Sequence, residues 1–188
     1  MTDRANPFLG HEHRRPDVDA GEAARLLEAA FGRRGIVREL GSHQDRNFLV
    51  AGEGGARFVF KIARHGLSRA ALEAENEAML RLAAAGLPFE VPVPQPALDG
   101  SRVVAGTTSA GVVHDLRLVT FIEGRPLDEV GYLAPAVLRA HGGIAASVVR
   151  ALEGFDHPAL DRALQWDLRY ASDVVEALAP FASTPPKT

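Results

Sequence analysis

The chain lacks several features that would place it outside the cell, in a membrane or on a nucleic acid. It contains no cysteine among its 188 residues, which excludes disulfides and thiolate metal sites and is consistent with a reducing cytoplasm. No apolar run approaches the roughly 18 residues of a membrane-spanning helix, and the N-terminus has no apolar segment typical of a secretory signal. The formal net charge of −3 argues against a general nucleic-acid binder. We therefore expect a cytoplasmic protein that binds neither membranes nor nucleic acids.

The order of helical and extended patterns predicts an α+β fold. Some segments repeat apolar residues at helical spacing, whereas others alternate with the period of two that strands show. The predicted elements are a helix over 20–31, strands over 36–42, 46–52 and 56–63, a helix over 68–86, strands over 102–105 and 115–122, and helices over 133–153 and 158–179. Five short strands joined by hairpins and one helix predict an antiparallel sheet with a helix on one face.

Residues that favour helix ends support two of these boundaries. Asp17 or Asp19 can cap the first helix at its start, and Gly32 can end it. Ser68 is placed to cap the second helix. The prolines between residues 87 and 97 exclude a helix there, so this segment should run extended.

One charged residue interrupts an otherwise apolar strand. Lys61 lies near the centre of residues 57–62 (RFVFKI), and burying an unpaired ammonium costs on the order of several kcal/mol. A phosphate group is one candidate partner, because the polar loop upstream, 42–45, could direct backbone N–H groups at the same anion. Alternatively, Lys61 extends into solvent, as most strand lysines do, and Asp45 simply satisfies a hairpin turn.

Several short motifs follow one another along the chain. These motifs are residues 40–50 (LGSHQDRNFLV), 58–63 (FVFKIA), 72–76 (LEAEN), 117–127 (RLVTFIEGRPL), 154–159 (GFDHPA) and 166–168 (WDL). On these residues the chain resembles the N-terminal portion of the aminoglycoside phosphotransferase/choline kinase-like family, and within it the hydroxylysine-kinase-like branch. The resemblance runs, with gaps, from about residue 20 to about residue 180.

The resemblance implies a division of the chain into lobes. A protein-kinase-like N-terminal lobe, with five antiparallel strands and a helix, would occupy residues 19–124. The first helices of a truncated C-terminal lobe would follow over 125–182. A flexible tail over 1–18 and a disordered tail over 183–188 would flank them.

The resemblance also implies which residues hold a nucleotide at its phosphate end. Lys61 takes the position of the family's phosphate-binding lysine, and Glu75, or its rival Glu73, takes that of the helix glutamate that holds the lysine. We therefore expect Lys61 to lie within ion-pair distance of one of these glutamates. The residues implied in the phosphate loop are Ser42, His43, Gln44 and Asp45.

At the base end, the strand over 115–122 would bind adenine. Val119 would lie behind the base, and backbone groups of Thr120 and Ile122 would pair with its edge. The implied cofactor is ATP or GTP with Mg²⁺. Arg117 and Arg125 are close enough in sequence to reach a ligand, but pairing at the protein surface is the favoured interpretation.

The motif that performs the family's chemistry is absent. Members use an H-G-D-x-x-x-x-N loop and a later aspartate for Mg²⁺. Residues 43–47 (HQDRN) lack the glycine and lie between strands, and residues 141–143 (HGG) lack the aspartate. We therefore predict no catalytic and no metal-binding residue in this chain. It should be the ATP-binding portion of a kinase for amino alcohols, hydroxy amino acids or aminoglycoside-like substrates, inactive by itself.

A second hypothesis assigns a non-catalytic role. Bacterial members of this branch also occur fused to a class-III aminotransferase that uses pyridoxal phosphate. The chain could then be a binding or docking module of such a multidomain enzyme, with pyridoxal phosphate confined to the fused domain. Both hypotheses make other domains of a longer chain its partners, together with a nucleotide and a small-molecule hydroxyl acceptor.

Overall fold

The computed structural model describes residues 15–42, 44–162, 164 and 167–182. The predicted C-terminal tail, most of the predicted N-terminal tail, His43 and Trp166 lie outside these residues. The helices and strands, in chain order, are α1 (Ala20–Phe31), β1 (Gly35–Leu40), β2 (Arg46–Gly52), β3 (Arg57–Ile62), α2 (Arg69–Ala84), β4 (Val104–Thr107), β5 (Val113–Thr120), α3 (Pro135–Ala151) and α4 (Ala171–Ala182). The predicted α+β class is confirmed.

The five strands form one antiparallel sheet in the order β1-β2-β3-β5-β4. The last hairpin is displaced from its predicted position, because β4 begins two residues later and β5 two residues earlier than expected. Its turn is closed by Thr108, whose N–H donates to the carbonyl of Val112 over 2.9 Å. Gly106 and Thr107 therefore pair with β5, although their small or polar side chains pointed to a loop. Strand pairing uses only backbone N–H and C=O groups. A prediction of the ends of β4 and β5 from side-chain polarity was therefore two residues in error.

One face of the sheet packs against α1 and forms the main hydrophobic core. We call it the α1 face, and its buried strand residues are Phe48, Val50, Phe58, Phe60, Ile62, Leu116 and Leu118. Leu26, Leu27 and Phe31 of α1 cover them. Phe31 meets Phe60 edge to face, with 6.0 Å between the ring centroids. Alternation along each strand puts these even-numbered side chains on one side and leaves the intervening residues for the other.

The two helices that frame the sheet begin as the sequence predicts. The Asp19 carboxylate accepts a 2.8 Å hydrogen bond from the N–H of Glu22, so Asp19 rather than Asp17 is the cap of α1. Gly32 ends α1 with φ of 63°, a left-handed conformation that glycine adopts without strain. Ser68 caps α2 through a 3.2 Å bond from Ala71 N–H. Local sequence therefore determines where α1 and α2 begin.

The C-terminal part departs from the prediction of two long helices. Helix α3 lies within the predicted 133–153, but the predicted helix over 158–179 is wrong: 3-10 turns occupy Pro158–Leu160 and Leu168–Tyr170, and α4 starts at Ala171. The Asp167 carboxylate accepts a bond from Arg169 N–H at 2.9 Å, and such local bonds compete with helical backbone. All 17 residues of α3 are described and none is buried. None of the described helices combines the length and apolarity needed to cross a lipid bilayer.

Candidate nucleotide site

Lys61 lies on the side of the sheet opposite α1, which we call the Lys61 face. Its ammonium donates a 3.0 Å hydrogen bond to Asn47 Oδ1, and Asn47 is its register partner on β2. Asp45 Oδ2 lies 3.9 Å from the same nitrogen. The Lys61 side chain retains 24% of its exposure, so it neither extends into open solvent nor is sealed in the interior.

Of the residues predicted to form a phosphate loop, Asp45 lies beside Lys61. Asp45 approaches Lys61 with one carboxylate oxygen and accepts the N–H of Arg64 with the other, over 3.1 Å. It thus ties Arg64, two residues beyond the end of β3, to the turn before β2, which is more than the hairpin-turn alternative requires. Ser42 and Gln44 are half-buried in the same turn. The contribution predicted for His43 falls outside the described residues.

Burial and neighbouring charges set the electrostatics of the Lys61 ammonium. Burial lowers the pKa of Lys61 below its ordinary value, since desolvation disfavours the charged form. The negative charges of Asp45 and Glu75 raise the pKa of Lys61, and the positive charge of Arg117 lowers it further. The residue is a cation whose hydration is incomplete, which favours capture of a further anion.

The predicted ion pair of Lys61 with a helix glutamate is wrong. All three residues are described, but Lys61 pairs with neither Glu75 nor Glu73. Glu73 faces Arg69, at 3.3 Å. Glu75 lies 2.8 Å from a guanidinium nitrogen of Arg117. The carboxylate beside Lys61 is that of Asp45, because Asp45 directly precedes β2 and Asn47 of that strand is the register partner of Lys61.

Arg117 is the residue of the Lys61 face whose environment the sequence analysis misjudged. The expectation of surface pairing is wrong, because its side chain is 3% exposed. Besides Glu75 it meets the carbonyl of Leu72 and Oδ1 of Asn76, both at 3.4 Å. The signal was present in the sequence: Arg117 interrupts an apolar strand as Lys61 does. The same argument, that a charge in a buried strand needs an anion, applies to both residues.

The proposed base-binding strand offers fewer free backbone groups than predicted. The N–H of Thr120 already donates to the carbonyl of Val93 over 3.0 Å, and the N–H of Phe121 donates to Arg57 over 3.0 Å. Ile122 follows the end of β5, and its side chain is exposed. Val119 is buried in register with Val59 on β3. The base contacts of Val119 and Ile122 stay predictions, whereas the Thr120 N–H already has a protein partner.

The register arranges the Lys61 face in two parallel rows. Asn47, Lys61 and Arg117 are successive partners across β2, β3 and β5 and form a polar row. Leu49, Val59 and Val119 form an apolar row beside it. In the described part of the chain, no three histidine or carboxylate side chains converge closely enough to hold a metal ion. Leu49 and Val119 are buried and Val59 is half-buried, so the apolar row is only partly open to solvent beside Lys61.

The chain is similar to a protein family and to known proteins over most of its length. Residues 36–186 match the model of the phosphotransferase enzyme family. Hydroxylysine kinase from Bos taurus is 29% identical over 157 residues, which cover 78% of this chain and 42% of that protein. The Danio rerio hydroxylysine kinase is 26% identical over 150 residues, covering 77% of this chain and 41% of the relative. The chain thus spans less than half the length of these relatives.

Two solved structures share the fold. The microcompartment-associated aminopropanol kinase superposes with a TM-score of 0.63 and 22% identity, over 84% of this chain and 48% of the other. The amicoumacin kinase hAmiN, solved in complex with AMP-PNP, Ca²⁺ and Ami, gives a TM-score of 0.63 at 14% identity, over 90% of this chain and 55% of the other. These likenesses confirm the predicted kinase-like fold.

Proposed function

Because this chain belongs to the phosphotransferase enzyme family, we propose that it forms the ATP-binding portion of a small-molecule kinase. In the complete enzyme, a hydroxyl group of an amino alcohol, hydroxy amino acid or aminoglycoside-like compound would accept the phosphoryl group. The similarity to hydroxylysine kinases and to an aminopropanol kinase supports the first two of these substrate classes. The fusion to an aminotransferase and the cytoplasmic location stay predictions.

The observation that carries the proposal is the environment of Lys61. Its ammonium has three N–H donors, and it has one hydrogen bond, to Asn47, with Asp45 at 3.9 Å. A donor therefore remains for a phosphate oxygen, and the half-buried position makes that contact stronger than it would be in water. The apolar row of Leu49, Val59 and Val119 lies on the same face.

The residues present fit the phosphate and base of a nucleotide. Lys61 would hold the phosphates, Asp45 and Asn47 would keep the ammonium aimed at them, and Val119 would lie behind the base. A bound Mg²⁺ would neutralise phosphate charge. ATP and GTP both satisfy this description, because the phosphate contacts are common to the two nucleotides.

A nucleotide titration with two matched variants tests the proposal. The chain has two lysines, Lys61 and Lys187, so the same change can be made at each. ATP with Mg²⁺ should stabilise the wild-type chain and the control Lys187→Met against thermal unfolding, by mass action. Lys61→Met should weaken ATP binding at least about tenfold, because a charge-assisted contact to phosphate is lost. Calorimetric titration measures the affinity of each protein.

Three outcomes separate the alternatives. If Lys61→Met and Lys187→Met weaken ATP binding equally, Lys61 is not part of the nucleotide site. Absence of stabilisation by ATP or GTP in the wild-type chain would favour the non-catalytic docking module instead. Phosphoryl transfer by the isolated 188 residues would contradict the prediction that the chain lacks the catalytic residues.

A further inference from the structure

A further cation lies at the other end of the Lys61 face. Arg57 is the first residue of β3, and its carbonyl accepts a 3.0 Å hydrogen bond from the N–H of Phe121, the residue that follows β5. Because side chains alternate along a strand, Arg57 and Lys61 lie on the same face, about 13 Å apart at about 3.3 Å per residue. The face therefore carries one cation at the proposed phosphate position and another beside the segment that leaves the sheet.

The guanidinium of Arg57 contacts this segment, residues 121–123, at two points. Its central carbon lies 4.7 Å from the centroid of the Phe121 ring. Its Nη1 pairs with Oε1 of Glu123. Together with the backbone bond from Phe121, these contacts attach the residues on both sides of Ile122 to the start of β3.

The backbone of Ile122 is directed away from β3. Along a strand, successive N–H groups point to opposite sides. The N–H of Thr120 donates to the carbonyl of Val93, and that of Phe121 donates to Arg57 on the other side. By this alternation the N–H of Ile122 points to the side of Val93, and within the described residues it has no hydrogen-bond partner. Holding residues 121 and 123 therefore sets the direction of an unpartnered backbone donor.

The contacts of Arg57 are suited to ordering this segment rather than to stabilising the fold. The Arg57 side chain is 40% exposed and that of Glu123 67%, and an ion pair exposed to this extent adds little stability by itself. A guanidinium over an aromatic ring adds a second weak contact. Both contacts come from one side chain, so the entropy cost of ordering it is incurred once. The apolar core lies on the opposite face of the sheet.

We propose that Arg57 is a positioning residue of the nucleotide site: it holds residues 121–123 against β3, so that the backbone N–H of Ile122 is aimed at the base of a nucleotide. The base in this statement rests on the proposed function. The contacts of Arg57 with Phe121 and Glu123 do not depend on it.

Two ligands separate the base end of the site from its phosphate end. ATP has both parts, whereas inorganic tripolyphosphate has only the phosphates. Arg57→Met should weaken ATP binding about fivefold, because the donor at residue 122 is no longer held in place. It should leave tripolyphosphate binding within about twofold, because about 13 Å exceeds the screening length of about 8 Å at physiological salt. Lys61→Met should weaken the binding of both ligands, and calorimetric titration measures each affinity.

Arg33→Met is the matched control. It also removes a guanidinium that lies over a phenylalanine ring, 4.4 Å from the centroid of Phe58, but this ring belongs to the α1 face. Arg33→Met should leave both affinities unchanged. Glu123→Gln should weaken ATP binding by only about twofold, because the contact of Arg57 with the Phe121 ring remains.

Hydrogen exchange of the Phe121 amide gives a readout that needs no ligand. Arg57→Met keeps the carbonyl that accepts this N–H but removes the side chain that holds the segment, so exchange should become about fivefold faster. Amides at the centre of β3 should keep their rates. A merely structural role of Arg57 would accelerate exchange throughout the sheet, and that outcome overturns the proposal.

The remaining outcomes also decide. Unchanged ATP affinity in Arg57→Met, or equal weakening of ATP and tripolyphosphate, would overturn the proposal, since the second result places Arg57 at the phosphates. If tripolyphosphate binds too weakly to measure, exchange at Phe121 decides. If Arg57→Met does not fold, the same two measurements on Glu123→Gln decide. If the wild-type chain binds no nucleotide, the proposed function fails, while exchange at Phe121 still tests whether Arg57 holds the segment.

Discussion

The α1 face and the Lys61 face of the sheet are built from alternate residues of the same strands, yet they differ in chemistry. On the α1 face, β3 contributes Phe58, Phe60 and Ile62, which are all buried and apolar. On the Lys61 face, the same strand contributes Val59 and Lys61, which are half-buried. The first face stabilises the fold by removing apolar area from water, and the second keeps a partly hydrated cation within reach of solvent.

The difference teaches how one sheet can carry charged side chains on one face and a buried apolar core on the other. Charges on the Lys61 face are matched locally, Lys61 by Asp45 and Arg117 by Glu75. The apolar core on the opposite side does not contribute to this matching. Mutations on the two faces should therefore separate loss of stability from loss of binding.

The largest expected effect is on the α1 face. Phe60→Ala should lower the free energy of unfolding by about 3–5 kcal/mol, because it removes a fully buried ring and leaves a cavity against Phe31. Val59→Ala changes the neighbouring residue on the other face and should cost about 1 kcal/mol, since Val59 is only half-buried. Urea unfolding of both variants measures the difference. Equal losses would contradict the division between the faces.

A smaller effect is expected where β4 passes under α1. A Cβ at Gly106 would lie 2.3 Å from Cδ1 of Leu116 and 3.2 Å from Cδ2 of Leu26, so Gly106→Ala should cost about 1–3 kcal/mol through overpacking. The matched control is Gly142→Ala in α3, where an added Cβ meets nothing within 4 Å. That change should be neutral or stabilising, because alanine favours helix. A stable Gly106→Ala variant would show that the α1 face is less tightly packed than its geometry indicates.

The smallest effect is a pH dependence at the end of the α1 face. His114 shares its side of β5 with Leu116 and Leu118 and is buried, with the His65 ring 4.7 Å away. Burial, and then the charge of His65, lower the pKa of His114 below 6.5. The unfolded chain then binds the proton more tightly, so stability should fall as the pH drops through about 6.5.

Thermal unfolding between pH 7.5 and pH 5 measures this effect. His114→Gln should reduce the fall in melting temperature at acid pH. His65→Gln should reduce it less, because burial is the main cause of the lowered pKa of His114. A curve with the same slope in wild type and in His114→Gln would exclude His114 as its source. The α1 face would then tolerate a charged imidazole, which would weaken its contrast with the Lys61 face.

Much of the fold was predictable, because helix ends and strands depend on residues that are close together in the sequence. The cap at Ser68 and the end of α1 at Gly32 follow from side-chain and backbone preferences within a few residues. The alternation in residues 57–62 predicts both a strand and the side of it that carries Lys61. The helix predicted over 158–179 failed because helix-forming composition does not register a competing turn at Asp167.

The sequence suggested residues for the proposed site but not how they pair. Lys61, Asp45, Glu75 and Val119 could be named from the sequence, and the structure brings Lys61 and Asp45 together. The burial of Arg117 was missed, because surface pairing was preferred for an arginine. The role of Asn47 depends on a register that places it directly beside Lys61.

By itself, the sequence determined the order of the elements, the caps of α1 and α2, and a single lysine in an apolar strand. These features follow from interactions between residues close together in the chain. Only the tertiary structure decided which anion each cation meets. Lys61 takes Asp45 and Arg117 takes Glu75 because the register sets the two cations side by side and α2 packs against the arginine. Such pairings depend on distances between separate elements, which periodicity and spacing do not encode.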